Sequence, residues 1–156
     1  MMNEKIRILL ADDHAVLRSG LKLLLNSQDN LVVVGEAPTG LAAITLAEEL
    51  QPDLILLDLN MPGLGGLEAL PIIRQRSPDS RILILTMHGE PEYLQQAIKN
   101  GASGYILKKA ADTELIIAIK AVMNSEIYVH SSMTKELLTD FLPDQEQDPD
   151  QVIWDS

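Results

Sequence analysis

The sequence predicts an α/β protein built on a doubly wound, five-stranded parallel sheet. Two observations carry this. Five short runs are almost continuous in Val, Ile and Leu, as strands covered on both faces are. Each is followed by a longer segment whose apolar residues recur at helical spacing, and strict strand–helix alternation implies a parallel sheet with helices on both faces. Right-handed crossovers are then the default.

In chain order, the predicted strands are Ile6–Ala11, Leu31–Val34, Leu54–Leu57, Arg81–Leu85 and Gly104–Leu107. Leu17, Leu21, Leu24 and Leu25 share a helical face, and the segments around Leu41–Leu50 and Leu67–Gln75 are helix-like. Leu94, Ala97 and Ile98 mark a fourth helix, and Leu115, Ile119, Val122 and Met123 a fifth. Punctuation agrees with these elements. Gln51-Pro52 and Ser77-Pro78 separate helices from the strands that follow, and Asn100-Gly101 closes a helix with a residue tolerant of positive φ. Past about Glu126 the pattern weakens, with a short helix expected at Thr134–Leu142 and no assignment beyond Pro143.

Composition bounds the function. The 156 residues and 46% hydrophobic content suffice for one domain with its own core. The absence of cysteine excludes disulfides, thiolate zinc sites and thiol catalysis. His14, His88 and His130 are far apart and lack zinc-ligand spacing. The N-terminus has no signal-peptide h-region, and no stretch approaches the roughly 18 apolar residues of a membrane span, so a cytoplasmic protein is expected. The net charge of −11 argues against nucleic-acid binding by this chain itself. Asp140 to Ser156 holds six acids and no Lys or Arg, together with two prolines and three glutamines, and is expected to be a linker or tail.

The informative residues follow the strands. Strand 1 ends in Asp12-Asp13, strand 3 in Asp58, strand 4 in Thr86 and strand 5 in Lys108. In an open parallel sheet the carboxyl ends of the strands line one edge, where ligands bind. Clustered carboxylates are costly to ionise unless a cation joins them, and an oxygen site of this kind suits Mg²⁺ and phosphate-bearing partners. A lysine opposite can pair with a carboxylate or with phosphoryl oxygens, and a carboxylate can itself attack phosphorus to form an aspartyl phosphate. Taken singly, these residues have plainer readings: Asp as a turn or helix cap, Lys as a solvated charge, Thr as an ordinary strand former. Their register makes the shared pocket the stronger one. Gly63-Leu64-Gly65-Gly66 is not a dinucleotide fingerprint, since Glu68 stands where the third glycine is required, and is expected to be a turn. His88 is close to the pocket in sequence but is expected to be solvated, as are His14 and His130, and Trp154 belongs to the acidic tail.

The segments Leu10-Ala11-Asp12-Asp13-His14, Leu56-Leu57-Asp58-Leu59-Asn60-Met61-Pro62-Gly63, Leu85-Thr86 and Gly101–Lys108 closely resemble the receiver domain of bacterial two-component response regulators. The stretches ADDHAVLRSGL, VVVGEAPTG and GASGYILKKA are similar to the NarL/FixJ-like subgroup with a LuxR-type helix-turn-helix effector. The resemblance covers residues 4–128. It implies a flavodoxin-like (βα)₅ fold of strand order 2-1-3-4-5, with a receiver at 1–128 and an acidic linker at 129–156. It also implies roles. Asp58 would accept a phosphoryl group from a sensor histidine kinase. Asp12, Asp13, Asp58 and the Asn60 backbone carbonyl would hold Mg²⁺. Lys108 would contact Asp58 and then the phosphoryl group, while Thr86 and Tyr105 would switch an output surface formed by the Pro91–Asn100 helix, the last strand and the last helix. Partners would be the kinase, a second copy on phosphorylation, and DNA only through an effector domain outside this chain, which would make the chain part of a longer transcriptional regulator and not an enzyme. A stand-alone receiver is the lesser alternative. Where many receivers have Lys-Pro, this chain has Lys108-Lys109, leaving the geometry of that peptide open. Met87 and His88 leave the lifetime of a phosphoaspartate open. The rival functions are a pseudo-receiver that only binds proteins, and an aspartyl-nucleophile phosphatase. Such phosphatases often carry a second acid two residues after the nucleophile, where this chain has Asn60.

Overall fold

The computed structural model describes residues 4–87 and 90–129. The predicted short helix at 134–142, the acidic tail with Trp154, and His88 and His130 lie outside them. Five β/α units run β1 (Ile6–Ala11), α1 (Ala15–Asn26), β2 (Leu31–Ala37), α2 (Gly40–Leu50), β3 (Leu54–Leu57), α3 (Gly66–Arg76), β4 (Arg81–Thr86), α4 (Pro91–Lys99), β5 (Gly104–Leu107) and α5 (Ala111–Met123), with α5 preceded by a 3₁₀ turn at Lys108–Ala110. A two-residue strand, β6 (Tyr128–Val129), then pairs parallel to β5. The sheet order is β2-β1-β3-β4-β5-β6, which extends the expected 2-1-3-4-5 order by one edge strand.

Strand periodicity divides the core in two. Leu9, Ile55, Leu57, Ile82 and Ile84 face α2, α3 and α4, where Ala43, Ile44, Ala69, Leu70, Ile73, Leu94 and Ala97 meet them. Ile8, Leu10, Leu54, Leu56, Leu83 and Leu85 face α1 and α5, against Leu21, Leu25, Leu115, Ala118 and Ile119. Both faces are thus covered, which is why these strands lack alternation in sequence. Two strands run longer than predicted. β2 continues through Gly35, Glu36 and Ala37, with its register to β1 shifting between Ile8 and Leu9, and β4 takes in Thr86. β6 is invisible in the sequence because two half-buried residues carry no periodicity.

Helix ends match the punctuation. Gln51 adopts a left-handed conformation (φ 46°) just before Pro52, and Gly101 (φ 101°) follows the Asn100 cap. Thr39 caps α2, its hydroxyl accepting from the Ala42 amide at 3.1 Å. The Gly63–Gly66 segment is the turn expected of it, and Gly66 has a steric task as well. A Cβ there would lie 2.0 Å from the backbone oxygen of Asp58, so only glycine lets α3 start against the strand-3 end. Gly20 is exposed within α1, and a Cβ added there would meet nothing within 4 Å.

The two glycines should therefore respond oppositely to alanine. Gly20→Ala should raise stability by about 0.5–1 kcal/mol through helix propensity and loss of unfolded-state freedom, whereas Gly66→Ala should lower it by about 1–3 kcal/mol through overpacking. Urea denaturation of the two variants against the parent reads both signs.

Candidate functional site

Parallel register sets the site. Ala11 is level with Leu57, Leu57 with Ile84, and Thr86 with Leu107. The residues that follow, Asp12, Asp58 and Lys108, consequently leave the sheet along one edge, beside Thr86. The backbone holds this edge closed: the Asp12 amide donates to the Ala37 carbonyl and the Asp58 amide to the Ala11 carbonyl, both at 2.9 Å.

Asp12 (3% exposed), Asp58 (2%) and Thr86 (0%) are buried, and Asp13 is half-buried. The Lys108 ammonium reaches into the cluster. It donates to Asp58 Oδ2 at 3.0 Å and lies 3.0 Å from Asp12 Oδ2, an ion-pair contact without hydrogen-bond alignment. The other Asp58 oxygen, Oδ1, accepts from the Asn60 amide at 3.2 Å. Burial raises the Asp58 carboxyl above its ordinary value; the Lys108 and Asn60 hydrogen bonds work against the shift, and the Asp12 charge adds to it. Burial alone would lower the Lys108 ammonium, but the close contacts and negative charge of Asp12 and Asp58 outweigh it and leave its pKa raised. The two directions have different sources: loss of water dominates at Asp58, and the two neighbouring carboxylates dominate at Lys108.

Arg18, from α1, braces the pocket from outside. Its guanidinium donates to the Asp12 carbonyl at 2.6 Å and to Glu36 Oε1 on β2 at 3.0 Å. The Arg18 hydrogen bond holds the Glu36 carboxyl below its ordinary value, with Lys22 assisting against partial burial.

Tyr105 is buried on the α2–α4 face, level with Ile84 and two residues below the row of Thr86. Strand alternation puts Thr86 on the same face. Burial pushes the Tyr105 hydroxyl far above its ordinary pKa, with Glu90 and Tyr93 adding to it. No peptide bond among the described residues is cis; after Leu107 the chain enters the 3₁₀ turn directly, with Lys108 as its first residue.

Sequence reasoning missed one residue of this pocket. His14, which lacks ligand spacing to the other histidines, places Nδ1 3.2 Å from Asp12 Oδ1 and 3.3 Å from both Asp13 Oδ1 and Lys108 Nζ. The signal available was adjacency to Asp12-Asp13, which a turn converts into proximity: the His14 amide donates to Asp12 Oδ1 at 2.8 Å.

The donor set fits a divalent cation. Three carboxylates (Asp12, Asp13, Asp58) against one ammonium leave two uncompensated negative charges. Asp12 Oδ2 and Asp13 Oδ1 are buried and receive no hydrogen bond; Lys108 lies 3.0 Å from the first and His14 Nδ1 3.3 Å from the second, so both keep lone pairs that a further cation can take up. One ligand atom from each of Asp12, Asp13, His14 and Asp58 lies within 4.8 Å of the others.

A native carboxyl pKa above the unfolded value means that ionised Asp58 opposes folding above its native pKa and is without effect below the unfolded one. Asp58→Asn should therefore stabilise the chelator-treated protein at neutral pH, with the advantage disappearing as pH falls below the carboxylate range. Added Mg²⁺ should raise the melting temperature of the parent more than that of the variant. Thermal unfolding across pH, with chelator or Mg²⁺, checks both.

Comparison with known proteins accounts for the arrangement. The response regulator receiver domain profile matches residues 8–120. The oxygen regulatory protein NreC of Staphylococcus aureus (strain JH9) is 43% identical over 144 residues, covering 92% of this chain and 66% of the relative. A LuxR-family two-component response regulator from Aurantimonas sp. SI85-9A1 superposes with TM-score 0.82 at 36% identity, covering 88% of this chain and 98% of that one. The signal receiver domain of the response regulator NarL from Mycobacterium tuberculosis gives TM-score 0.74 at 35% identity, with 79% and 99% covered. With its parallel flavodoxin-like sheet and the acidic cluster on its carboxyl edge, the chain belongs to the response regulator receiver domain family, as a receiver of the LuxR-family kind.

Proposed function

We infer that Asp58 is the phosphoacceptor of a two-component switch, charged by a sensor histidine kinase in the presence of Mg²⁺. The observation that carries this is the buried Asp58 carboxylate held by Lys108 and flanked by Asp12, whose combined charge leaves room for a divalent ion. A carboxylate oxygen of Asp58 attacks phosphorus, the bond from phosphorus to the donor nitrogen breaks, and the electron pair leaves with the donor. Lys108, 3.0 Å from Asp58 Oδ2, offsets charge on the transferring phosphoryl oxygens. Mg²⁺, held by Asp12, Asp13, Asp58 and the Asn60 carbonyl, supplies further charge neutralisation when bound.

Thr86, at the end of β4 beside the Lys108 strand, senses the new group, and Tyr105, buried on the same face, carries the change toward α4 and β5. The size of the response is set by how differently the two states bind the phosphoryl group. The receiver domain match over residues 8–120 supports residues 1–128 as the receiver; residues 129–156 serve as the acidic linker to a DNA-binding effector, with DNA contacts made only by that effector. No helix among the described residues is long and apolar enough to cross a membrane, in keeping with a cytoplasmic regulator. A second copy joins on phosphorylation through the output surface.

Incubation with a small radiolabelled phosphodonor and Mg²⁺ tests the acceptor. The parent should take up label and Asp58→Ala none; an unlabelled parent, or equal uptake by the variant, refutes the assignment. Lys108→Ala should slow uptake by roughly 10²–10³-fold, measured as an initial rate at fixed donor. Turnover of a phosphate ester by the parent would instead favour the phosphatase reading.

A further inference from the structure

We propose that the His14 imidazole is a ligand of the divalent cation held by Asp12, Asp13 and Asp58, and that it shifts the selectivity of this pocket toward ions that accept nitrogen, such as Co²⁺, Ni²⁺ and Zn²⁺. The proposal rests on the pocket being a cation site, as inferred above, and adds to it a donor outside the all-oxygen set of Asp12, Asp13, Asp58 and Asn60.

The Lys108 ammonium is a cationic neighbour that His14 shares with two of the carboxylates. It lies 3.0 Å from Asp12 Oδ2, 3.0 Å from Asp58 Oδ2 and 3.3 Å from His14 Nδ1. The nitrogen therefore sits in the same shell as two of the carboxylates. The ligand atoms of the four side chains lie within 4.8 Å of one another. Metal–ligand bonds of about 2.0–2.2 Å place opposite ligands of one ion about 4.2 Å apart, comparable to the spacing these atoms already have.

His14 is also poorly satisfied by its present neighbours. To accept from Lys108, Nδ1 must carry its lone pair, but that lone pair then faces Asp12 Oδ1 at 3.2 Å and Asp13 Oδ1 at 3.3 Å. To donate to the carboxylates it must carry a proton, which then faces the ammonium. A divalent ion removes the conflict, because nitrogen and oxygens alike direct lone pairs at one positive charge. Among the described residues nothing else holds the ring. His14 stands at the N-cap of α1 without a side-chain cap bond, and its side chain is 57% exposed, so it can turn onto the ion at no cost to the core. Imidazole suits Zn²⁺, Ni²⁺ and Cu²⁺ better than it suits Mg²⁺, which prefers oxygen and water.

The test uses the full 156-residue chain. Mg²⁺ and Co²⁺ are titrated by calorimetry, and pulsed EPR of the Mn²⁺-loaded protein is read for ¹⁴N coupling. The parent should show ¹⁴N coupling that is lost in His14→Gln and retained in His88→Gln and His130→Gln, and His14→Gln should weaken Co²⁺ binding at least about tenfold, far more than Mg²⁺ binding. Mg²⁺ binding without ¹⁴N coupling, coupling that persists in His14→Gln, or coupling lost in His88→Gln or His130→Gln overturns the proposal alone. Failure to bind any of the three ions, together with an unlabelled Asp58, overturns the cation site and the proposal with it.

Discussion

Carboxylates that leave water together repel one another, and most of the pocket's architecture follows from containing that repulsion. Asp12 and Asp58 are almost wholly buried, with Asp13 at their side and one ammonium between them. Desolvation and mutual charge raise the Asp58 carboxyl, while the same charge raises Lys108. A hydrophobic replacement would fold more easily, since a buried ion cluster is weak support for a fold. The arrangement makes sense as stored electrostatic tension, which the proposed cation or phosphoryl group would relieve in different ways.

Such a pocket needs a rigid frame, and a parallel sheet covered on both faces provides one. Register alone puts four strand ends on one edge, and the two apolar cores fix the strands beneath it. The start of α3 presses on the Asp58 backbone itself, so the acid is held by its main chain as well as by its side-chain partners.

The fold was legible because its elements are long or strongly apolar: all five expected strands and all five helices are present. Their ends were less so. Glu36 and Thr86 are polar extensions of strands that the apolar pattern does not reach, and β6 is too short for any period. The convergence of Asp12, Asp58, Thr86 and Lys108 on one edge was legible from strand ends, since parallel topology determines it. His14 was not. Its spacing to the other histidines carries no information, and its place in the pocket arises from a turn through the Asp12 side chain. Arg18 was equally hidden, because its partners are a backbone carbonyl and an acid on a strand extension.

That Arg18 contact separates two jobs of a single residue. The guanidinium grips the carbonyl of Asp12, not its carboxylate, and anchors it to Glu36 across α1 and β2. The side chain of Asp12 is left to pair with Lys108 and His14 without loosening the chain that carries it. The pocket can thus trade partners while its scaffold keeps the same shape, so its chemistry and its mechanics can evolve at different rates.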